Sequence, residues 1–162
     1  MSDIKIFTTG GTIDKVYYDA KSDFQIGDPQ IEPILQEAGV TLSFEVQSLL
    51  RKDSLEMTDE DRARVREAVQ QDSHQRILIT HGTDTMIDTA LALGDCADKT
   101  VVLTGAMQPA RFRITDAVFN VGFALGVAMS HPAGVYVAMN GQVFDPRKSV
   151  KNRAEGRFEA SQ

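Results

Sequence analysis

The chain has a single cysteine, Cys96, so it can close no internal disulfide and offers no cysteine-based zinc site. A buried apolar thiol is the expected state of that side chain, and nothing demands an oxidising compartment. Long apolar runs are also missing: none approaches the ~20 residues of a membrane-crossing helix. The start, MSDIKIFTTGG, carries an acid at position 3 and breaks into glycine before a signal-peptide core can form. Positive charge is in deficit, with 17 Lys and Arg against 23 Asp and Glu and a net charge of −6. Such a surface repels nucleic acid and anionic membranes at long range, so neither is an expected partner. Repeats, low-complexity tracts and interdomain linkers are absent too. What remains is one domain over residues 1–162, expected in the cytoplasm, with 42% hydrophobic residues to fill a core.

Four short runs, DIKIFTT, RILIT (76–80), TVVLTG (100–105) and GVYVAM (134–139), are almost continuously apolar, as strands covered on both faces must be. A weaker fifth run, TLSFEVQSLL, spans 41–50. Between these lie four helical segments. The first, DPQIEPILQEAG, has Asp28 placed as an N-cap before Pro29 and Gly39 placed to end it. The second opens at Thr58 with three acids in its first turn, favourable to the helix dipole. The others are expected over about 84–97 and 115–130. Strand and helix alternate with crossovers long enough for parallel pairing, which predicts an open, doubly wound α/β sheet, mostly parallel, in a flavodoxin-like three-layer sandwich. Ligands in such sheets bind beyond the carboxyl ends of the strands.

Three of those ends combine glycine with hydroxyls or small residues: TTGGT (8–12), THGTDT (80–85) and TGAMQPARFR (104–113). A dinucleotide fingerprint is missing, because Gly10 and Gly11 are adjacent and the next glycine is Gly27; a Walker loop is missing as well. The glycine pair by itself serves equally as a tight turn. Thr83 and Asp84 serve equally as a helix cap, with His81 hydrogen-bonded in the core. Together they also suit covalent catalysis, since a threonine hydroxyl needs a neighbouring base and an oriented acceptor before it attacks a carbonyl. A lysine desolvated in a cleft can act as that base. The run RKSVKNR reads as a solvated surface, and spacing does not single out Lys151.

TTGGTID, HGTDTM, VVLTGAM and MNGQVFD in this order resemble the bacterial-type L-asparaginase family, along nearly the whole chain. The resemblance implies hydrolysis of the side-chain amide of L-asparagine in two steps, through an acyl-enzyme, with no metal or cofactor. It implies Thr12 as the nucleophile, and Thr83 with Lys151 as proton relay and positioners of the second-step water. Asp84 is implied to hold the substrate ammonium, and Ser54 its carboxylate. Backbone amides near Gly11 or Ala106 are implied to stabilise the oxyanion, a contribution of ~3 kcal/mol per donor.

The chain departs from the family pattern in three places. It matches only the first of two domains, so the family's C-terminal domain is expected to be absent. Leu55 stands where a substrate-binding glutamine is usual. Phe24 stands opposite the family's loop tyrosine, which leaves Tyr17 or Tyr18 to support Thr12; Tyr17 is preferred. Asp14 and Asp88 are expected to be structural, Arg111 and Arg113 to form a surface or subunit salt bridge, and Met86, Met107 and Met139 to pack. A homo-oligomer, dimer or tetramer, is expected, with 117–128 as one candidate contact. Two competing readings stand beside the hydrolase: a noncatalytic amino-acid-binding module, and an amidase for a different small amide, which Leu55 favours.

Overall fold

A computed structural model of the protein describes residues 1–161. Its elements in chain order are β1 (Ile4–Gly10), β2 (Lys15–Tyr18), β3 (Asp23–Ile26), α1 (Ile31–Glu37), β4 (Phe44–Lys52), α2 (Asp59–Gln71), β5 (Arg76–Thr80) and α3 (Met86–Leu93). These are followed by β6 (Thr100–Thr104), α4 (Ala117–Ser130), β7 (Gly134–Met139), β8 (Gln142–Phe144), β9 (Ser149–Asn152) and β10 (Arg157–Ala160). The main sheet runs β4-β1-β5-β6-β7-β8, with β8 antiparallel at the edge and the other five strands parallel.

The five expected strands are therefore all present, and helices cover both faces. Alternation along each strand divides the apolar residues between two cores. Phe7, Ile77, Ile79, Val101 and Leu103 pack with Val65 and Val69 of α2 and Met86 and Leu93 of α3. Ile4, Ile6, Leu78 and Val102 pack with Ile31 and Leu35 of α1 and Val121 and Ala124 of α4. Every residue of β1 is buried, and each large aliphatic side chain so covered contributes roughly 1.5–3 kcal/mol. Met86 and Met139 are buried in the first core and Met107 packs against it, as expected. Cys96 is buried, and burial raises the pKa of its thiol.

Several local expectations change. The strand-helix boundary at the second motif falls later, since α3 starts at Met86 and Gly94 ends it with φ 61°. Asp28 is not a cap. α1 begins after Gln30 without a side-chain cap, and Asp28 pairs instead with Arg51 at 2.7 Å. At α2 the expected cap is in place: Thr58 and Asp61 form a reciprocal capping box.

Two hairpins and the edge strand were not expected. β2 and β3 pair antiparallel directly after Thr12, with Tyr17 opposite Phe24; β9 and β10 pair with Lys151 opposite Phe158. Between β7 and β8, Asn140 and Gly141 have φ of 51° and 83°, the left-handed pair that a two-residue hairpin turn requires. At the opposite end of the sheet Lys5 is buried, paired with Glu45 and with Asp72, and Asp72 in turn accepts from His74 at 2.6 Å. Those partners offset the cost of placing a charge inside β1.

Candidate active site

The strand order reverses between β1 and β5, because β4 and then β1 lie on one side and β5, β6 and β7 follow on the other. A crevice opens at such a switch point, beyond the carboxyl ends of the two central strands. TTGGT closes β1 and HGTD closes β5, so the two motifs meet there. Their contact requires glycine. Gly11 has φ 90°, and a methyl group built on it falls 2.5 Å from Gly82 Cα. On Gly82 it falls 2.7 Å from Ser54 Oγ, and on Gly105 it falls 2.2 Å from the His81 carbonyl. Four chain segments thus touch backbone to backbone, which brings Thr12 and Thr83, each one residue onward, to the same corner.

Thr12 opens a short 3₁₀ turn, Thr12–Asp14, and is partly exposed. The turn is tied on both sides: Gly11 N–H donates to Lys52 O, and Ala110 N–H donates to Ile13 O. Asp14, buried behind it, accepts from Gln30 N–H at 2.9 Å. Burial pushes its carboxyl up to about 7 against the pull of that bond. It is structural, as expected. Arg111 forms no salt bridge among the described residues; its guanidinium donates to the Asp14 and Lys15 carbonyls at 2.9 and 3.4 Å, bracing the root of the β2–β3 hairpin.

Lys151 Nζ lies 2.7 Å from Thr83 Oγ1 and 2.7 Å from Asp84 Oδ1. It reaches this corner because Phe158, its partner across the β9–β10 ribbon, is buried against Phe144. Opposed residues of an antiparallel pair point to one face, so burying Phe158 aims the lysine the same way. The basic run KNR is therefore not simply a solvated surface: the Lys151 side chain is only 13% exposed. Arg153, two residues on, places Nε 3.6 Å from the same Asp84 oxygen. A cavity of about 240 Å³ separates α3 from β9, lined in part by Thr83, Asp84, Asp88, Lys151 and Arg153. Larger cavities exist, such as one of about 530 Å³ near Cys96 and Pro146, but they lack this gathering of hydroxyl, carboxylate and ammonium groups.

Ser54 is buried, and its Oγ accepts from Thr85 N–H at 3.2 Å while its carbonyl accepts from the Thr85 hydroxyl at 2.8 Å. This pins the end of β4 to the start of α3. Leu55 beside it is 59% exposed. His81 is fully buried: Nδ1 donates to Gly82 O at 2.7 Å, which leaves Nε2 to accept from the Thr89 hydroxyl at 2.7 Å. Burial lowers its pKa to about 4, so it is a neutral structural brace. Ala106 is buried in the core beside α4, leaving only its backbone for the site. Asp116 accepts from Met107 and Gln108 N–H and fixes that loop.

Tyr17 lies on the hairpin with its ring 5.1 Å from Phe24, and Phe24 meets Phe112 at 5.7 Å. Sequence reasoning missed Arg153 and the bracing role of Arg111. Arg153 lies in the turn that follows β9, and nothing in the local pattern signalled either residue. Among the described residues no group of three or more His, Cys, Asp or Glu is placed to hold a metal ion, and no helix is long and apolar enough to cross a membrane.

Residues 3–160 match the family model described as asparaginase, N-terminal. The chain is 33% identical to a probable periplasmic L-asparaginase of Haemophilus influenzae, over 93% of this chain and 46% of that protein. Its structure is similar to the thermostable L-asparaginase from Thermococcus kodakarensis, with TM-score 0.85 and 30% identity over 97% of this chain and 50% of the other. It is also similar to a probable cytoplasmic L-asparaginase from Campylobacter jejuni, with TM-score 0.80 and 30% identity over 93% and 50% of the two chains. The chain spans about half the length of these relatives. One is named periplasmic and another cytoplasmic, so kinship assigns no compartment. With the family model covering nearly every residue and the switch-point motifs in place, the chain belongs to the asparaginase family and corresponds to its N-terminal domain.

Proposed function

We propose that this domain carries the nucleophilic half of an amidohydrolase acting on L-asparagine. The observation that supports it best is the Thr83–Lys151–Asp84 cluster, with both contacts at 2.7 Å, set beside the turn that bears Thr12. In the first step the Thr12 oxygen bonds to the amide carbon and the C–N bond breaks. Ammonia leaves with the hydroxyl proton, carried through Thr83 and Lys151. Water then adds to the ester, aspartate departs and Thr12 recovers its proton.

Gly11 N–H already donates to Lys52 O, which leaves the backbone amide at Ala106 as the candidate oxyanion donor. Asp84 receives the substrate ammonium, Ser54 contributes to holding the carboxylate, and Tyr17 covers Thr12. A homo-oligomer formed through α4, whose Val118 and Phe119 are 53% and 60% exposed, is part of the same reading. The test is ammonia release from L-asparagine by the wild type and by Thr12→Val: turnover surviving in the variant removes Thr12 as nucleophile. Exposed Leu55 favours a second reading, a different small amide as substrate, which a panel of asparagine, glutamine and larger amides separates.

A further inference from the structure

Asp84 uses only one of its oxygens. Lys151 and Arg153 come closest at Oδ1, at 2.7 and 3.6 Å, and among the described residues Oδ2 accepts no hydrogen bond. Arg153 approaches Asp84 most closely through Nε, and among the described residues its guanidinium donates no hydrogen bond. Its side chain is 61% exposed. An exposed ion pair of this kind contributes little to stability.

Other carboxylate donors at this corner are weak. Ser54 is 2% exposed, a single neutral hydroxyl whose oxygen already accepts from Thr85, and Leu55 has no polar atom in its side chain. The charges facing the cavity are Asp84, Asp88, Lys151 and Arg153, two of each sign. Balanced charge suits a zwitterion better than an anion. An α-amino acid carries its ammonium and carboxylate on the same carbon, so one molecule can place the first on Asp84 Oδ2 and the second on the adjacent guanidinium fork. Arginine forms two parallel bonds to a carboxylate in such an arrangement, stronger than neutral hydrogen bonds.

We propose that Arg153 is a specificity-determining residue that binds the α-carboxylate of the substrate whose ammonium Asp84 receives. This rests on the amide hydrolysis proposed above and names the substrate class: free α-amino acids, in preference to amides whose α-carboxylate is blocked.

The experiment compares wild type, Arg153→Gln and Arg153→Lys on L-asparagine and on its α-carboxamide, reading KM and kcat by ammonia release. Arg153→Gln is expected to raise KM for L-asparagine about tenfold, leave kcat within about twofold, and leave KM for the α-carboxamide unchanged. Arg153→Lys recovers part of the loss, as a single charge in place of a fork. Equal increases for both substrates, or no change for either, overturn the proposal. If the wild type releases no ammonia from L-asparagine, the hydrolysis reading fails by itself. Calorimetry then decides: Arg153→Gln must weaken L-aspartate and spare its α-amide, and any other pattern, including no binding of either by the wild type, overturns the role of Arg153.

Discussion

Lys151 Nζ lies 2.7 Å from Thr83 Oγ1, joining the last hairpin to the end of a central strand 68 residues earlier. A cation held on a hydroxyl and a carboxylate at once is costly to desolvate and is retained only where all partners stay in register. Replacing Lys151 by Met keeps most of the buried stem and removes the charge. Ammonia release is expected to fall by about 10²–10⁴-fold, the usual worth of a proton-transfer group, with the far-ultraviolet spectrum unchanged. Wild-type turnover in this variant excludes the lysine from proton transfer.

The glycine contacts at the switch point predict steric intolerance. Gly11→Ala combines an added methyl 2.5 Å from Gly82 Cα with a φ of 90° that side chains resist. A loss of roughly 1–3 kcal/mol is expected from the backbone strain alone, more with the clash. Denaturant titration measures it. Gly122→Ala, with open space at its Cβ and a helical position, is the control and should be neutral or stabilising.

Asp14 and His81 give stability opposite dependences on pH. The folded state holds the Asp14 proton up to about 7, against an ordinary value of 3.8. Between those limits unfolding releases a proton, and stability falls as pH rises, at up to about 1.4 kcal/mol per pH unit. Folded His81 refuses a proton until about 4, against 6.5 when unfolded, so its contribution is lost as pH falls from 6.5 towards 4. Asp14→Asn isolates the first effect. The variant should gain on the wild type steadily from pH 4 to pH 7 and hold that gain at pH 8, followed by melting temperature at each pH.

Thr8 and Thr80 face each other across β1 and β5, both buried, with hydroxyl oxygens that have no hydrogen-bond partner among the described residues. Valine keeps the shape and removes the desolvated group. Thr8→Val or Thr80→Val is therefore expected to be neutral or to stabilise by about 1 kcal/mol. A drop in the denaturation midpoint points to a buried water or a functional use of those hydroxyls.

Tyr17→Phe retains the packing against Phe24 and removes one hydroxyl. If Tyr17 covers the nucleophile, kcat falls about tenfold in this variant, the worth of one ordinary hydrogen bond, and not in Tyr18→Phe. Equal kinetics in both variants return the hairpin tyrosines to packing alone.

Much of the architecture was legible because it depends on local pattern. Continuous apolar runs marked β1, β5, β6 and β7, whose residues are covered from two sides. The capping box at Thr58 needed only a four-residue window. The hairpins were less visible. β2 and β3 carry exposed aromatics and charges without the alternation of a half-buried strand, although Asn140-Gly141 was a clear turn signal for β8.

Residue types and their order along the chain limited which chemistries were open: hydroxyls and carboxylates at the ends of buried strands, glycines where backbones meet, and family membership through the spacing of those motifs. Tertiary structure decided which side chains work together. It drew Lys151 out of a basic run and onto Thr83, made His81 a neutral brace, put Arg111 on backbone carbonyls, and, among the described residues, left Asp84 Oδ2 and the Arg153 guanidinium without hydrogen bonds. The reason is physical. Local propensity and periodicity act over a few residues, whereas a contact across 68 residues exists only after the hydrophobic burial of Phe158 has fixed where the lysine points.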